Sequence, residues 1–287
     1  MQNYIFDSHC HIQNSSIDDT DRDTIRNELF LPNDYTIAIV NKIKSLPLNS
    51  IGMMGTSIED SIRMANMIDL LDDDSSIKVY YGFGIHPWFC ENTVKTHPDW
   101  KEQLENLLIK YPKATIGECG LDKVARNRTT KKIFSMPIQT DFFEFQFQLA
   151  AKYKRPIVIH SVKTVGKIFE YIKKQLSISI DNIPPKIMFH SYCGSPDITK
   201  SLLNLSPIRE RLYFGLSYFV NSRIKSNEEN LKLIPKDRIM IETDFHEIDD
   251  VPEFIGKIHD LLRSFDCLKS VDDLYKLTYD NAYNFFN

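Results

Sequence analysis

Eight short apolar runs punctuate the chain, at 5–6, 51–55, 79–84, 114–117, 157–159, 187–189, 212–215 and 239–241, and they are rich in β-branched and aromatic residues. They do not alternate with polar positions, which is the pattern of strands covered on both faces in a parallel sheet. Between them the apolar spacing turns helical. Trp100, Leu104, Leu107, Leu108 and Tyr111 fall on one helix face, as do Val165, Ile168, Phe169, Ile172 and Leu176. Two further helical segments, around 254–262 and 271–285, complete the alternation. The order predicts an α/β fold, a single (β/α)8 TIM barrel spanning residues 1–287 as one domain.

Ionisable residues stand where these runs stop: Asp7, His9, His11, Glu118, His160, His190 and Asp244. In a parallel barrel the downstream ends of the strands share one rim, so these side chains are expected to converge there. His9 and His11 are two apart, a spacing that turns both rings to one side of an extended segment while Cys10 faces the other. Glu118 offers two anionic oxygens and is the natural ligand to share between two cations. His160 and His190 end consecutive strands and suit a second ion. Asp244, on the last strand, can reach the His9–His11 ion and take a proton from water as general base, with Glu242 buried beneath it. His86, ahead of Pro87, reads as a residue that polarises or orients substrate, or as a satisfied histidine in a tight turn. His246 is a further candidate for the pocket lining. His97 and His259 read as surface residues on helices.

The least regular stretches are 14–33, 123–139 and 178–185. The first two follow candidate site strands, where barrels carry specificity loops. The second bears Lys123, Arg126, Arg128, Lys131 and Lys132 with no acid among them, a cluster suited to phosphates on either side of a scissile bond. Trp88, Phe89 and Tyr192 are candidate stacking platforms for single strands. The net charge of −4 argues against broad electrostatic capture of nucleic acid and leaves such capture to local patches. Five cysteines without CxxC spacing argue against a disulfide framework, and no run has the character of a signal peptide or membrane span. The expectation is a cytosolic, also nuclear, protein in a reducing setting.

The ordered segments Phe6-Asp7-Ser8-His9-Cys10-His11, Gly84-Ile85-His86-Pro87, Ile116-Gly117-Glu118-Cys119-Gly120-Leu121-Asp122, Ile157-Val158-Ile159-His160-Ser161, Phe189-His190-Ser191-Tyr192-Cys193-Gly194-Ser195 and Ile241-Glu242-Thr243-Asp244 resemble the signatures of the TatD family of metal-dependent deoxyribonucleases. The resemblance spans nearly the whole chain and includes the closing Asn281-Ala282-Tyr283-Asn284-Phe285. It implies a TIM barrel of the amidohydrolase superfamily, two divalent metal ions and hydrolysis of DNA phosphodiesters. The ions could be Mg, Mn, Zn or Ni, since mixed imidazole and carboxylate ligands accept all four. Lys123 stands where the family has an aromatic, Val162 where it has Arg, and Phe245-His246 where it has Ser-Pro. The metal positions are thus kept while substrate-side positions change. DNA is the expected partner, with no membrane and the chain a monomer. Two other readings stay open: hydrolysis of a small phosphoester, ester or amide, and a barrel with weak catalysis serving as a protein-binding partner.

Overall fold

The computed structural model describes residues 4–15, 33–71, 76–127 and 129–287. Eight strands, β1 (Phe6–Cys10), β2 (Ser50–Met54), β3 (Lys78–Phe83), β4 (Thr115–Asp122), β5 (Ile157–Val162), β6 (Ile187–Phe189), β7 (Leu212–Ser217) and β8 (Ile239–Glu242), form one sheet in chain order. Each neighbouring pair is parallel. Side chains and rim backbone close β8 onto β1. Ser8 Oγ donates to the Ile241 carbonyl at 2.8 Å, the Asp244 N–H to the His9 carbonyl at 2.9 Å and the His11 N–H to the Phe245 carbonyl at 2.7 Å. The result is the (β/α)8 barrel that the alternation predicts, with every apolar run overlapping a strand to within a residue at its ends.

Helices α1 (Asn33–Ser45), α2 (Ile58–Ile68), α3 (Cys90–Thr96), α4 (Trp100–Lys110), α5 (Met136–Lys152), α6 (Val165–Ile178), α7 (Pro196–Leu203), α8 (Tyr218–Asn221), α9 (Asn227–Leu233), α10 (Val251–Ser264), α11 (Asp266–Lys269) and α12 (Leu274–Phe286) belong to the connections and the C-terminal segment. Their apolar stripes, such as Leu104 and Leu108 on α4 or Ile168 and Ile172 on α6, pack on the outer faces of the strands. The lumen holds a different set: Phe6, Met54, Tyr80, Val158, Met188, Tyr213 and Met240 point inward, and α12 closes the lower mouth with Phe285 and Phe286. Phe6, Tyr80 and Phe286 stack on one another with ring centroids 4.9 to 5.5 Å apart. Among the described residues, no helix is long and apolar enough to cross a membrane.

Three strands depart from the expectation that each site residue sits at a strand's downstream end: β5 runs on past His160 to Val162, and the other two are β4 and β1. β4 runs on to Asp122, so Glu118 is interior to it, and His9 is interior to β1. Both strands carry an extra residue at that point: Asp7 and Cys10 oppose Ile51 and Met53, and Ile116 and Cys119 oppose Ile157 and Ile159. A bulge of this kind bends the strand and re-aims the side chain it contains. Around Glu118 the bulge needs glycine. Gly117 and Gly120 both sit at φ +149°, and a Cβ on Gly120 would overlap the His160 carbonyl oxygen.

Candidate metal centre

The bulges bring His9, His11, Glu118, His160, His190 and Asp244 together at the upper mouth. Glu118 is the centre of the arrangement, because its two oxygens face different partners. Oε2 lies 3.1 Å from His11 Nε2 and 3.4 Å from His9 Nε2. Oε1 lies 2.7 Å from His190 Nε2 and 2.8 Å from His160 Nδ1. Asp244 Oδ1 completes the first group, 3.5 Å from both His9 and His11 Nε2. Its backbone is held at φ 59°, a left-handed conformation that Asp tolerates better than most residues.

The spacings around His9, His11 and Asp244 suit a shared cation, whereas the 2.7 and 2.8 Å contacts of Glu118 Oε1 are those of charge-assisted hydrogen bonds. The Nε2 atoms of His9 and His11 are 3.2 Å apart, as are two ligands sharing an ion. Donors each about 2.0–2.2 Å from one divalent ion stand about 3.0–3.5 Å from one another. Three groupings have their possible ligand atoms within 4.8 Å of one another: His9, Glu118 and His190; His9, His11 and Asp244; His86, Glu118 and His160.

The second nitrogen of each ring decides what the first can do. His11 Nδ1 lies 2.9 Å from the Met54 carbonyl, which can only accept, so the proton sits there and Nε2 is free to ligate. His160 is turned the other way: its Nε2 lies 3.4 Å from Asp122 Oδ2, which leaves Nδ1 for the cage. His190 Nδ1 lies 3.4 Å from Glu242 Oε1, which also accepts from the Ser191 N–H and hydroxyl. His86 differs, since its Nδ1 accepts the Trp88 backbone N–H at 3.2 Å. The neutral ring then carries its proton on Nε2, 3.4 Å from Glu118 Oε1, and a protonated nitrogen cannot ligate. Despite its place in the third grouping, His86 is therefore a hydrogen-bond donor into the site.

Charge follows the same division. Burial drives His86 down to about 3, so it stays neutral. Burial also lowers His9, helped by the charge of His190. His11 is held well above its ordinary value, because hydrogen bonds to Asp244 and Glu118 outweigh its burial. His190 is raised against burial by the Glu118 charge, and His160 by its bonds to Asp122 and Glu118. Burial would raise both carboxylates, but the surrounding imidazoles hold Glu118 well below the usual range and Asp244 at about 2. The carboxylates that raise these imidazoles are the same groups that would attract cations to the cage.

Other expected residues lie elsewhere. Asp7 is buried beneath the rim and accepts from the Thr243 N–H and hydroxyl at 2.9 and 2.6 Å, pinning β8 to β1 rather than facing the cage. Tyr192 is buried, with its hydroxyl 2.8 Å from Thr199 Oγ1, and offers no stacking face, whereas Trp88 and Phe89 are exposed. His97 follows α3 instead of lying on it and is half-buried against Glu59 at 2.7 Å; His259 lies on α10 but stacks on Tyr275. His246 is exposed beside Glu247. Lys123, Arg126, Lys131 and Lys132 are exposed on a small hairpin bridged between Arg126 and Ile133, which ends where α5 begins at Met136. Arg128 lies outside the described residues, as does most of the 14–33 stretch. Asp122 is the supporting residue that spacing could have exposed: it stands four positions past Glu118 on the same strand.

The family profile described as TatD related DNase matches residues 6–287. The Cut9-interacting protein scn1 of Schizosaccharomyces pombe is 26% identical, over 74% of this chain and 84% of that protein. The 3'-5' ssDNA/RNA exonuclease TatD of Edwardsiella piscicida is 26% identical, over 72% of this chain and 71% of that protein. Among solved structures, a TatD family hydrolase from Entamoeba histolytica superposes with a TM-score of 0.71 at 18% identity, covering 99% of this chain and 98% of that one.

Proposed function

The chain belongs to the TatD-related DNase family of metal-dependent hydrolases, and from that premise we propose that it cleaves phosphodiester bonds of DNA with two divalent ions shared through Glu118. The observation that carries this reading is the divided Glu118 carboxylate, one oxygen toward His9 and His11, the other toward His160 and His190. The relative named as an ssDNA/RNA exonuclease supports a nucleic-acid substrate. When bound, such ions make water more acidic and neutralise charge on the phosphate oxygens.

The chain's own groups would do the rest. Asp244, ionised and the most open carboxylate of the set at 28% exposure, takes the proton of the attacking water. His86, neutral, donates a hydrogen bond from its Nε2–H to a phosphate oxygen and keeps the proton. Lys123 and Arg126 on the exposed hairpin, with Arg128, hold flanking phosphates.

The test is hydrolysis of single- and double-stranded DNA, RNA and a small phosphoester by purified protein with Mg, Mn, Zn or Ni. Glu118→Ala and Asp244→Ala should each lower DNA cleavage by at least about 100-fold. Metal-independent cleavage, or full activity in both variants, refutes the proposal. Turnover of the small ester with DNA and RNA left intact would move the reading to a small-molecule hydrolase.

A further inference from the structure

Trp88 combines exposure and restraint in an unusual way. It is 43% exposed, yet both polar groups it offers are engaged: the indole Nε1–H donates to Asp122 Oδ2 at 2.9 Å and the backbone N–H to His86 Nδ1 at 3.2 Å. Its ring meets His86 edge-on at 5.1 Å and lies 6.5 Å from the His160 ring, centroid to centroid. Asp122 cannot swing away, because its other oxygen accepts the Val124 and Ala125 N–H groups at 2.9 Å each. A large apolar ring left in water and already immobilised has met in advance the ordering cost that stacking normally incurs.

The same carboxylate oxygen faces His160 Nε2, so one residue fixes both the exposed ring and a ring of the cage. The cations Lys123 and Arg126 stand on the hairpin that leaves β4 directly after Asp122, and Glu91 fastens the hairpin's end to α3 by accepting the Ser135 N–H at 2.6 Å. An aromatic face with positive charge beside it is the arrangement that takes a base and its phosphate.

We propose that the Trp88 indole is a stacking platform for an unpaired base of the bound strand, held beside the metal ligands by Asp122. This rests on the nucleic-acid reading of the same site and adds to it the feature of the substrate that is recognised: an exposed base face. Strands lacking bases are then poor ligands, whatever their phosphates.

The protein has two tryptophans, and the other, Trp100, is buried and stacked on Phe142 at 3.8 Å, so Trp88 is the one a ligand can reach. With divalent metal withheld, affinities for an end-labelled octathymidylate and for an end-labelled abasic octamer of equal charge are read by fluorescence anisotropy, and the intrinsic tryptophan emission is followed alongside. The octathymidylate should quench the emission and bind about tenfold more tightly than the abasic strand. In Trp88→Ala that preference should fall to near unity, and Trp88→Phe should retain most of it while losing the quench. Equal affinity of the wild type for both strands, or a preference that survives in Trp88→Ala, overturns the proposal. Should Trp88→Ala fail to fold, the wild-type comparison and Trp88→Phe still decide. Binding is read without cleavage, so an inert wild type that keeps the preference refutes the nuclease reading and supports the platform.

Discussion

The two ends of the barrel lumen solve opposite problems with the same strands. At the lower mouth Phe6, Tyr80, Tyr213, Phe285 and Phe286 fill the space with stacked rings, and burial is favourable for nearly every atom. At the upper mouth, three residues further along β1, the space is filled by imidazoles and carboxylates that burial penalises. Several of their buried atoms, including His9 Nδ1 and Glu242 Oε2, have no hydrogen-bond partner among the described residues. One end stabilises the fold and the other holds chemistry at a cost to it.

Disrupting the lower end gives the largest expected effect. Phe285→Ala should cost about 3–5 kcal/mol of stability, the usual penalty for emptying a buried aromatic site, read from the midpoint of urea unfolding. Metal affinity of the folded fraction should not change. A parallel loss of affinity would show that the two ends are coupled and would break the comparison.

That separation also explains what the sequence made legible. Strand positions and the metal-type residues could be read, because an apolar run ending in His or Glu is a local pattern. The bulges at His9 and Glu118 could not, since an inserted residue looks like any other until its partner strand is known. Nor could the ring nitrogens: nothing in the run 157–160 says that His160 presents Nδ1 while His11 presents Nε2. Tyr192 and Asp7 misled for a related reason. Their place after an apolar run suggested a part in the site, but hydrogen bonds to Thr199 and Thr243 turn them to structural ends. The aromatic plug was half legible, as its α12 residues are visible in sequence but their stacking on β1 and β3 is not.

The next effect in size is at the upper end. Divalent metal at 100 times its dissociation constant should stabilise the native state by about 2.7 kcal/mol, measured as the shift in unfolding midpoint between metal-saturated and chelator-treated protein. Glu118→Ala should lose most of that increment. If the wild-type midpoint is the same in metal-saturated and chelator-treated protein, the cage does not bind cations in solution.

Asp122 tests how far support for the cage extends. It has four donors on two oxygens: Val124 and Ala125 N–H on one, the Trp88 indole and His160 Nε2 on the other. An amide keeps only one acceptor oxygen, so Asp122→Asn must leave one pair of donors unmatched. Metal affinity should fall about 10- to 100-fold, by calorimetric titration, with the secondary structure intact. An unchanged affinity would mean that the His160 ring is fixed by Glu118 alone.

The smallest effect, counted per group, is that of pH. Imidazoles must shed their protons to ligate, and His11, His190 and His160 hold theirs above the ordinary histidine value. Protons and cations therefore compete. Affinity should rise with pH and level off above the raised pKa values, changing by up to about tenfold per pH unit for each imidazole that gives up a proton. His9, lowered by burial, should contribute less to the release than the raised imidazoles. Calorimetry at about pH 6 in two buffers of different ionisation enthalpy counts the protons released. Release from these three imidazoles predicts a steep dependence, and a flat affinity through neutral pH would show that the ring protons do not occupy the cation positions. The aromatic cluster of the lower mouth includes no imidazole or carboxylate among its described residues, so its contribution to stability should not follow the same curve.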